Sequence, residues 1–314
     1  MAVVIGVTCG DQVRNFLQVI QLSLTTIGWS TVRLLTHSPF SAQTSRIDSF
    51  ASLLKHNYTI LGMPQSLYYS KPDMAESDRD LIQSYVVQGL TNDKDVTWLE
   101  SREGQQESKR RVTFTWREVE SYEEAQRLYP FANNLIVPDI AFQLGPFNPI
   151  PSPIGSNLKL DIVLFLRDDK ESVVSAQRNK KHVRERFNAL PGGRELQFMV
   201  VDWADRLELF DSEDIYFTDT SIQLLSLGKV VICDRLHAAI LCYISGIPFV
   251  YIDQVSGKIS KTLRVAFDSW DGCQNGEKSM WSRAENLDDA IRQAIAFLTK
   301  YGLDKVKDKA TTRR

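Results

Sequence analysis

Residues 229–253, KVVICDRLHAAILCYISGIPFVYID, decide the fold of this chain. The uninterrupted apolar runs Lys229–Cys233 and Pro248–Ile252 are typical of strands that are buried on both faces. Between them, Arg235–Ile244 has the length and composition of a helix, which Gly246 is suited to end. Two buried strands joined by one helix are expected to be parallel neighbours, so this segment predicts the α/β class.

The same alternation of strands and helices extends through the rest of the chain. Further strands are predicted at Val3–Val7, Tyr58–Met63, Val112–Trp116, Asn134–Val137, Asp161–Leu166 and Leu196–Val201. Helices are predicted at Glu76–Gly89, Ser121–Leu128 and residues 286–302. Ser121–Glu124 has the pattern of a capping box, and Asn286 is suited to cap the last helix. We therefore expect an α/β protein with largely parallel sheets.

The length of the chain, 314 residues, favours two domains. Leu144–Asn157, LGPFNPIPSPIGSN, concentrates Pro, Gly and Ser and is the best candidate for a linker. It predicts an N-terminal α/β domain over residues 1–148 and a C-terminal α/β domain over residues 149–314, with a cleft between them. Residues 91–110 are polar and charged without a sustained period, so we expect them to form an irregular surface excursion.

Composition removes several classes of function. The net charge of -2 and the lack of a long basic block argue against nucleic acid as a partner. No run approaches the ~20 apolar residues that span a bilayer, so no integral membrane segment is expected. The first ten residues are predicted to form a buried strand rather than a signal peptide. The chain is expected to be soluble as given, in the cytoplasm or, if an N-terminal anchor has been lost, in the secretory lumen.

Cysteine and histidine give no sign of a metal site, because the four residues of each kind are scattered along the chain. Cys233 and Cys242 lie in apolar runs and are expected to be buried free thiols. The sequence has no GxGxxG, GxSxG or HExxH pattern. The usual sequence arguments for a dinucleotide enzyme, an α/β hydrolase or a zinc protease therefore do not apply, and no cofactor is predicted.

The strongest candidate for a site is Asp234-Arg235-Leu236-His237, because ligands of open α/β sheets bind beyond the carboxyl ends of strands. Asp234 is suited to cap the next helix, which would place Arg235 and His237 in its first turn, where anions are attracted. Arginine binds carboxylates or phosphates, and histidine transfers protons near neutral pH. The structural alternative is a capping aspartate, a surface ion pair and a packed histidine.

Two other strand ends in the first half carry polar residues. Arg117 follows the strand VTFTW and either faces a ligand or pairs with a glutamate of the helix that follows. Gln65, Ser66, Tyr68 and Tyr69 follow the strand YTIL. They offer hydrogen-bonding groups and aromatic faces to a sugar, or they form an ordinary proline turn at a domain edge.

Three weaker signals complete the set. Asp139 ends a strand and is suited to act as a general base or as a cap. The acids in Arg167–Lys170 are expected to be solvated. Lys258 follows Gly257 after the strand PFVYI, where its ammonium group would lie near a bound phosphate.

Taken in order, MPQS…Y, TWRE..S, VPDIAF, VVICDRLHAAIL..ISGIPFVYID and GK resemble the polysaccharide pyruvyl transferase family over about residues 58–265. The resemblance implies two Rossmann-like domains in a glycosyltransferase-B-like arrangement, with the active site in the cleft. It also implies phosphoenolpyruvate as the donor and a carbohydrate as the acceptor, often a galactose-containing glycan. The product would be a cyclic ketal of pyruvate across two hydroxyl groups.

The resemblance also assigns roles to residues. Arg117 and Arg235 would hold the donor's carboxylate and phosphate, and His237 would be the acid and base. The substrate-binding set that it completes is Gln65, Ser66, Tyr68, Asp139, Leu236 and Lys258.

Residues 1–57 depart from the family, because the glycine-rich loop of many members has only Cys9-Gly10-Asp11 as a counterpart. Two alternatives to an active pyruvyl transferase follow. One is a glycosyltransferase of the same architecture that uses a sugar nucleotide, which nucleotide binding would identify. The other is an inactive carbohydrate-binding relative, which would bind sugar without releasing phosphate.

Overall fold

The computed structural model describes residues 2–5, 44–67, 69, 72–91, 95–146, 160–169, 171–193, 195–202, 215–268 and 280–301. Contacts group the chain into a first unit, Met1–Ile140 with Lys261–Ser269, and a second unit, Ala141–Ser260 with Trp270–Arg314. Each unit contains one sheet, and the strand pairs among the described residues are all parallel. The predicted α/β class is confirmed. The predicted boundary at residues 148 and 149 lies outside the described ranges.

The first unit alternates strands and helices along the chain. Its elements are β1 (Ala2–Ile5), α1 (Thr44–Lys55), β2 (Thr59–Gln65), α2 (Pro72–Thr91), a 3-10 helix (Val96–Glu100), α3 (Arg102–Arg111), β3 (Val112–Trp116), α4 (Val119–Leu128) and β4 (Asn133–Ile136). The sheet has the order β1-β2-β3-β4. A short 3-10 helix, Ile140–Leu144, follows β4.

Aromatic packing fixes the end of β3 in the core of the first unit. The rings of Trp116 and Tyr129 are fully buried and stack with centroids 6.3 Å apart. The indole nitrogen of Trp116 donates a hydrogen bond of 2.9 Å to the side-chain oxygen of Asn134, which satisfies its only polar group. Because the backbone of Trp116 is held in this way, the position of the next residue, Arg117, is set by the core.

The second unit contains the segment that decides the fold. Its elements are β5 (Leu160–Phe165), a 3-10 helix (Ser175–Gln177), α5 (Lys180–Ala189), β6 (Phe198–Val201), α6 (Ile215–Ser226), β7 (Gly228–Cys233), α7 (Leu236–Ile244), β8 (Phe249–Ile252), the start of α8 (Lys258–Asp268), β9 (Trp281–Ala284) and α9 (Leu287–Lys300). From Lys261 onward, α8 is grouped with the first unit. The sheet has the order β6-β5-β7-β8-β9, so β5 lies between β6 and β7.

The helix ends of the second unit agree with two of the predictions. Gly246 follows α7 with a φ of 65°, a left-handed conformation that glycine adopts at little cost, and it ends the helix as expected. Asn286 accepts a hydrogen bond of 2.9 Å from the amide of Asp289 and caps α9. Leu287 and Ile291 of that helix are buried.

The prediction of an irregular excursion over residues 91–110 is wrong from residue 95 onward. This part forms the 3-10 helix Val96–Glu100 and the helix α3. Asp95 accepts from the amide of Thr97 at 2.9 Å, and Ser101 accepts from the amide of Gly104 at 3.0 Å. Side-chain caps of this kind stabilise helices that show little apolar periodicity.

The predicted capping box at Ser121 is also wrong. Helix α4 begins at Val119, so Ser121 lies inside its first turn and donates to the side chain of Glu118 at 3.2 Å. The alternative of a proline turn after β2 is wrong, because β2 continues for two more residues, and its register with β3 shifts between Gly62 and Gln65. Pro64 lies within this register shift, where a residue without an amide hydrogen is tolerated.

Candidate functional site

The first unit gathers polar side chains at the carboxyl edge of its sheet. Gln65 pairs with Trp116 and Trp116 with Ile136, so β2, β3 and β4 end side by side. Residues that follow these strands therefore meet at one edge. The residues brought together there are Gln65, Ser66, Arg117, Glu118, Ser121 and Asp139. Tyr68 lies outside the described residues.

Arg117 forms a buried ion pair with Asp139 at this edge. Its Nη1 atom lies 2.5 Å from Oδ2 of Asp139, and the two residues are 8% and 2% exposed. Its Nε atom donates to the hydroxyl of Ser66 at 3.0 Å, and its amide donates to the carbonyl of Gln65 at 3.1 Å. The alternative of a pair with a glutamate of the next helix is wrong. The guanidinium group is fixed by Ser66 and Asp139, which follow β2 and β4.

Glu118, which was not predicted as a site residue, ties the segment after β2 to the start of α4. It is buried and accepts from the hydroxyl of Ser66 at 2.5 Å and from that of Ser121 at 3.2 Å. The hydroxyl of Ser121 in turn accepts from the amide of Leu67 at 2.9 Å. The sequence does show an acid directly after Arg117. Because acids at the start of a helix are commonly exposed, Glu118 was not distinguished there from an ordinary surface charge.

The second unit forms a corresponding edge beyond β5, β6 and β7. Phe165 pairs with both Val201 and Cys233, so the three strands end together. Asp202 is fully buried and accepts from Arg235 through both oxygens, at 2.5 Å from Nε and 2.7 Å from Nη2. This bidentate contact fixes the orientation of the planar guanidinium group. Asp202, like Glu118, was missed from the sequence, where it follows the short strand Phe198–Val201 with no partner in view.

Asp234 does not cap α7, which corrects the prediction. It is fully buried, and its carboxylate accepts from the amide of Arg167 at 2.8 Å and from the hydroxyl of Ser172 at 2.5 Å. Burial raises the pKa of Asp234, although these two hydrogen bonds and the nearby arginines act to lower it. The N-cap of α7 is Arg235, which makes no side-chain capping bond. The first amides of α7 are thus not covered by the aspartate that precedes them.

The other predicted residues of the second unit lie next to this pair in the chain. Leu236 is buried, and His237 is half-buried in the first turn of α7, as predicted. Asp253 accepts from the amide of Ile259 at 3.1 Å, which fixes the start of α8 beyond β8. Lys258, the first residue of α8, is half-buried there. His237 and Lys258 therefore lie in the first turns of the two helices that follow the neighbouring strands β7 and β8.

Within the described ranges, no group of three His, Cys, Asp or Glu residues is arranged to hold a metal ion. In the same ranges, no helix combines the length and hydropathy needed to cross a membrane. Cys233 and Cys242 are buried free thiols, as predicted, and burial raises the pKa of each.

Comparison with known proteins gives one family and two similar chains. Residues 105–254 match the sequence model of the family described as Polysaccharide pyruvyl transferase. Pyruvyl transferase 1 of Schizosaccharomyces pombe is 24% identical over 216 residues, which cover 65% of this chain and 46% of the relative. The chain thus spans about half the length of that curated relative.

A functionally uncharacterised protein of known structure from Klebsiella pneumoniae is 13% identical, with a TM-score of 0.46 over 91% of this chain and 93% of that one. This likeness is too weak to carry an argument. The family match contains Arg117, Asp139, Asp202, Arg235 and His237, whereas Gln65, Ser66 and Lys258 lie outside it.

Proposed function

Since residues 105–254 match the model of the polysaccharide pyruvyl transferase family, we propose that this chain transfers a pyruvyl group from phosphoenolpyruvate to a carbohydrate, as a cyclic ketal. One observation carries the proposal. Each sheet ends in an arginine whose guanidinium group is fixed by a buried aspartate, Arg117 by Asp139 and Arg235 by Asp202. Phosphoenolpyruvate has two anionic groups, a carboxylate and a phosphate, and a fixed guanidinium group is suited to bind either of them.

Arg235 and the start of α7 are the proposed site of one of these anionic groups. The helix N-terminus carries a partial positive charge and amide donors, and the helix has nine residues, Leu236–Ile244. The bidentate contact with Asp202 holds the guanidinium group before the donor arrives. Charges that are already oriented need no reorganisation during the reaction, which is how such groups stabilise developing charge.

His237 is the proposed acid and base. Histidine exchanges protons near neutral pH, and His237 lies in the first turn of α7. Proton transfer to the methylene carbon of the donor makes C2 electrophilic, and one sugar hydroxyl forms a bond to C2. The C2–O bond to phosphate breaks, and a second hydroxyl closes the ketal ring. The two hydroxyl groups lose two protons in all. One compensates for the proton added to the methylene carbon, and the other leaves with phosphate.

Phosphate release from phosphoenolpyruvate, measured with and without galactosides, tests the proposal. We expect release that depends on the acceptor and that Arg235→Gln and His237→Gln each reduce at least about a hundredfold. In D2O, deuterium should enter the pyruvyl methyl group. Asp80→Asn, which changes an exposed ion pair on α2, is the control and should leave the rate unchanged.

Three results would contradict the proposal in different ways. Binding of a sugar nucleotide without binding of phosphoenolpyruvate would favour a glycosyltransferase. Sugar binding by a folded protein that releases no phosphate would indicate the inactive carbohydrate-binding relative. A ketal product without solvent deuterium would exclude protonation of the donor carbon. The cleft of a glycosyltransferase-B-like arrangement stays a prediction of the resemblance.

A further inference from the structure

Arg167, which the proposed function does not use, lies at the end of β5 beside the Arg235 site. Its backbone amide donates to the carboxylate of Asp234, the residue before Arg235. The side chain of Arg167 is only 15% exposed. Because β5 lies between β6 and β7 in the sheet, the strand that carries Arg167 is flanked by those that carry Asp202 and Arg235. The second edge therefore has two arginines.

The partners of Arg167 differ in kind from the partner of Arg235. Arg167 contacts Asp169, with Nη2 at 2.6 Å from Oδ2, and Glu171, with Nη1 at 2.9 Å from Oε2. The side chains of these two acids are 42% and 52% exposed, whereas that of Asp202 is 1% exposed. Exposed ion pairs contribute little free energy, so a solute anion is able to replace them. The contact between Arg167 and Asp169 is bidentate as well, so the Arg235–Asp202 pair differs from it in the burial of its carboxylate, which disfavours exchange.

The charges of both arginines act on the carboxylate of Asp169. Burial tends to raise the pKa of Asp169, but the hydrogen bond from Arg167, the amide of Glu171 and the charges of Arg167 and Arg235 lower it overall. The Asp169 carboxylate accepts from the side chain of Arg167 and from the amide of Glu171, and the amide of Asp168 donates at 3.3 Å to Asp202, the partner of Arg235. A carboxylate or phosphate of a ligand would be stabilised there by the same groups.

We propose that Arg167 is an additional anion-binding residue of the Arg235 site, and that Asp169 and Glu171 hold it until an anionic group of the ligand displaces them. The identity of that ligand as phosphoenolpyruvate rests on the proposed function, but the anion site itself does not. The acids of this segment are exposed, as the sequence predicted for solvated residues, yet they have a specific partner.

The test is the dissociation constant of two probes, phosphoenolpyruvate and inorganic phosphate, measured by titration calorimetry on the full chain. Arg167→Gln should weaken the binding of both about tenfold or more, because charge-assisted hydrogen bonds are lost. Asp169→Asn should tighten both about two- to fivefold, because the competing carboxylate is removed. This variant keeps the side-chain oxygen that accepts from the amide of Glu171, so the turn is preserved.

Asp168→Asn is the matched control, since it removes the same charge one residue away. Asp168 is 64% exposed and pairs with Arg178 at 3.0 Å, not with Arg167. We expect a change of less than about twofold. Equal tightening by Asp168→Asn and Asp169→Asn would mean a general charge effect and would overturn the displacement.

The remaining outcomes separate this inference from the proposed function. If Arg235→Gln abolishes binding of phosphoenolpyruvate while Arg167→Gln and Asp169→Asn have no effect, the inference is wrong and the proposed function stands. If phosphate binds with the expected pattern but phosphoenolpyruvate does not bind, the anion site stands and the proposed donor is wrong. If the wild-type protein binds neither probe, both are overturned.

Discussion

The two sheet edges build the same pair of residues in different ways. In the first unit, Arg117 and Asp139 follow β3 and β4, which are neighbours in the sheet. In the second unit, Arg235 and Asp202 follow β7 and β6, which are separated by β5. Two strand spacings amount to about 9.6 Å, so this pair has to span the end of β5.

This difference has a consequence for what each edge can bind. At the first edge the ion pair is accompanied by Ser66 and by the backbone of Gln65, and its arginine has a single carboxylate contact in Asp139. At the second edge the pair is bidentate, and Arg167 follows β5, the strand between β6 and β7. The same chemistry therefore gives one arginine in the first unit and two in the second, which is the better arrangement for a doubly charged phosphate.

The largest expected effect comes from removing either buried carboxylate. Asp202→Ala and Asp139→Ala each leave a buried guanidinium group without its main partner, which typically lowers the free energy of unfolding by about 3–5 kcal/mol. We expect Asp202→Ala to cost more, because two hydrogen bonds are lost to Arg235 and only one to Arg117. Denaturant unfolding followed by tryptophan fluorescence measures both.

The matched control is the double substitution at each edge. Asp202→Leu with Arg235→Met, and Asp139→Leu with Arg117→Met, remove both charges, so most of the lost stability should return. If either single alanine variant costs less than about 1 kcal/mol, its pair is not a buried constraint, and the likeness between the two edges fails.

Arg111 is a buried arginine outside the two sheet edges, and its contacts are structural. Its guanidinium group donates to the carbonyls of Leu54 and Tyr58 and to the side-chain oxygen of Asn57. Arg111→Gln should lower the free energy of unfolding by about 2–3 kcal/mol, since several acceptors lose a charged donor. The affinity for phosphoenolpyruvate should not change.

Arg110→Gln is the control for Arg111. The side chain of Arg110 is 64% exposed and pairs with the half-buried Glu107, so the expected change in unfolding free energy is below about 0.5 kcal/mol. Loss of phosphoenolpyruvate affinity in Arg111→Gln would show that removing any buried arginine disturbs binding. Effects of substitutions at the two sheet edges would then not identify a binding site.

Local patterns were enough to predict the strands and the polar residues at their ends. The β7–α7–β8 segment, the ends of β3 and the positions of Arg117, Arg235 and His237 all follow from apolar runs and the residues after them. What could not be predicted is which side chains meet. Asp202 reaches Arg235 only because of the order β6-β5-β7, and strand order is not contained in hydrophobic periodicity.

Short-range errors had a different cause. Helix α4 begins two residues before the predicted capping box, and α7 begins after Arg235 rather than after Asp234. In both places a side chain suited to capping has a tertiary partner: Ser121 accepts from the amide of Leu67, and Asp234 accepts from Ser172 and from the amide of Arg167. Capping signals in the sequence are therefore least reliable at the sheet edges, where polar contacts from other strands compete for the same atoms.

The smallest expected effect is an opposite response to pH in the two units. Asp78 of α2 lies beside Tyr69, and burial raises its pKa from 3.8 to about 6, although the hydrogen bond with Tyr69 lowers it. The free energy of unfolding therefore falls as the pH rises from 3.8 to about 6, where the buried carboxyl group ionises. Asp169 has a lowered pKa, so its contribution to stability is present at neutral pH and is lost as the pH falls through the folded value.

Two asparagine variants and melting curves from pH 4 to pH 8 test this contrast. Asp78→Asn should raise the free energy of unfolding by about 1 kcal/mol or less at pH 8, since the carboxylate is partly screened by water, and should match the wild type near pH 4. Asp169→Asn should lower stability slightly at pH 8, and the difference should shrink on acidification. Destabilisation by Asp78→Asn at pH 8 would mean that its charge is compensated within the first unit. The contrast would then rest on the arginine pairs alone.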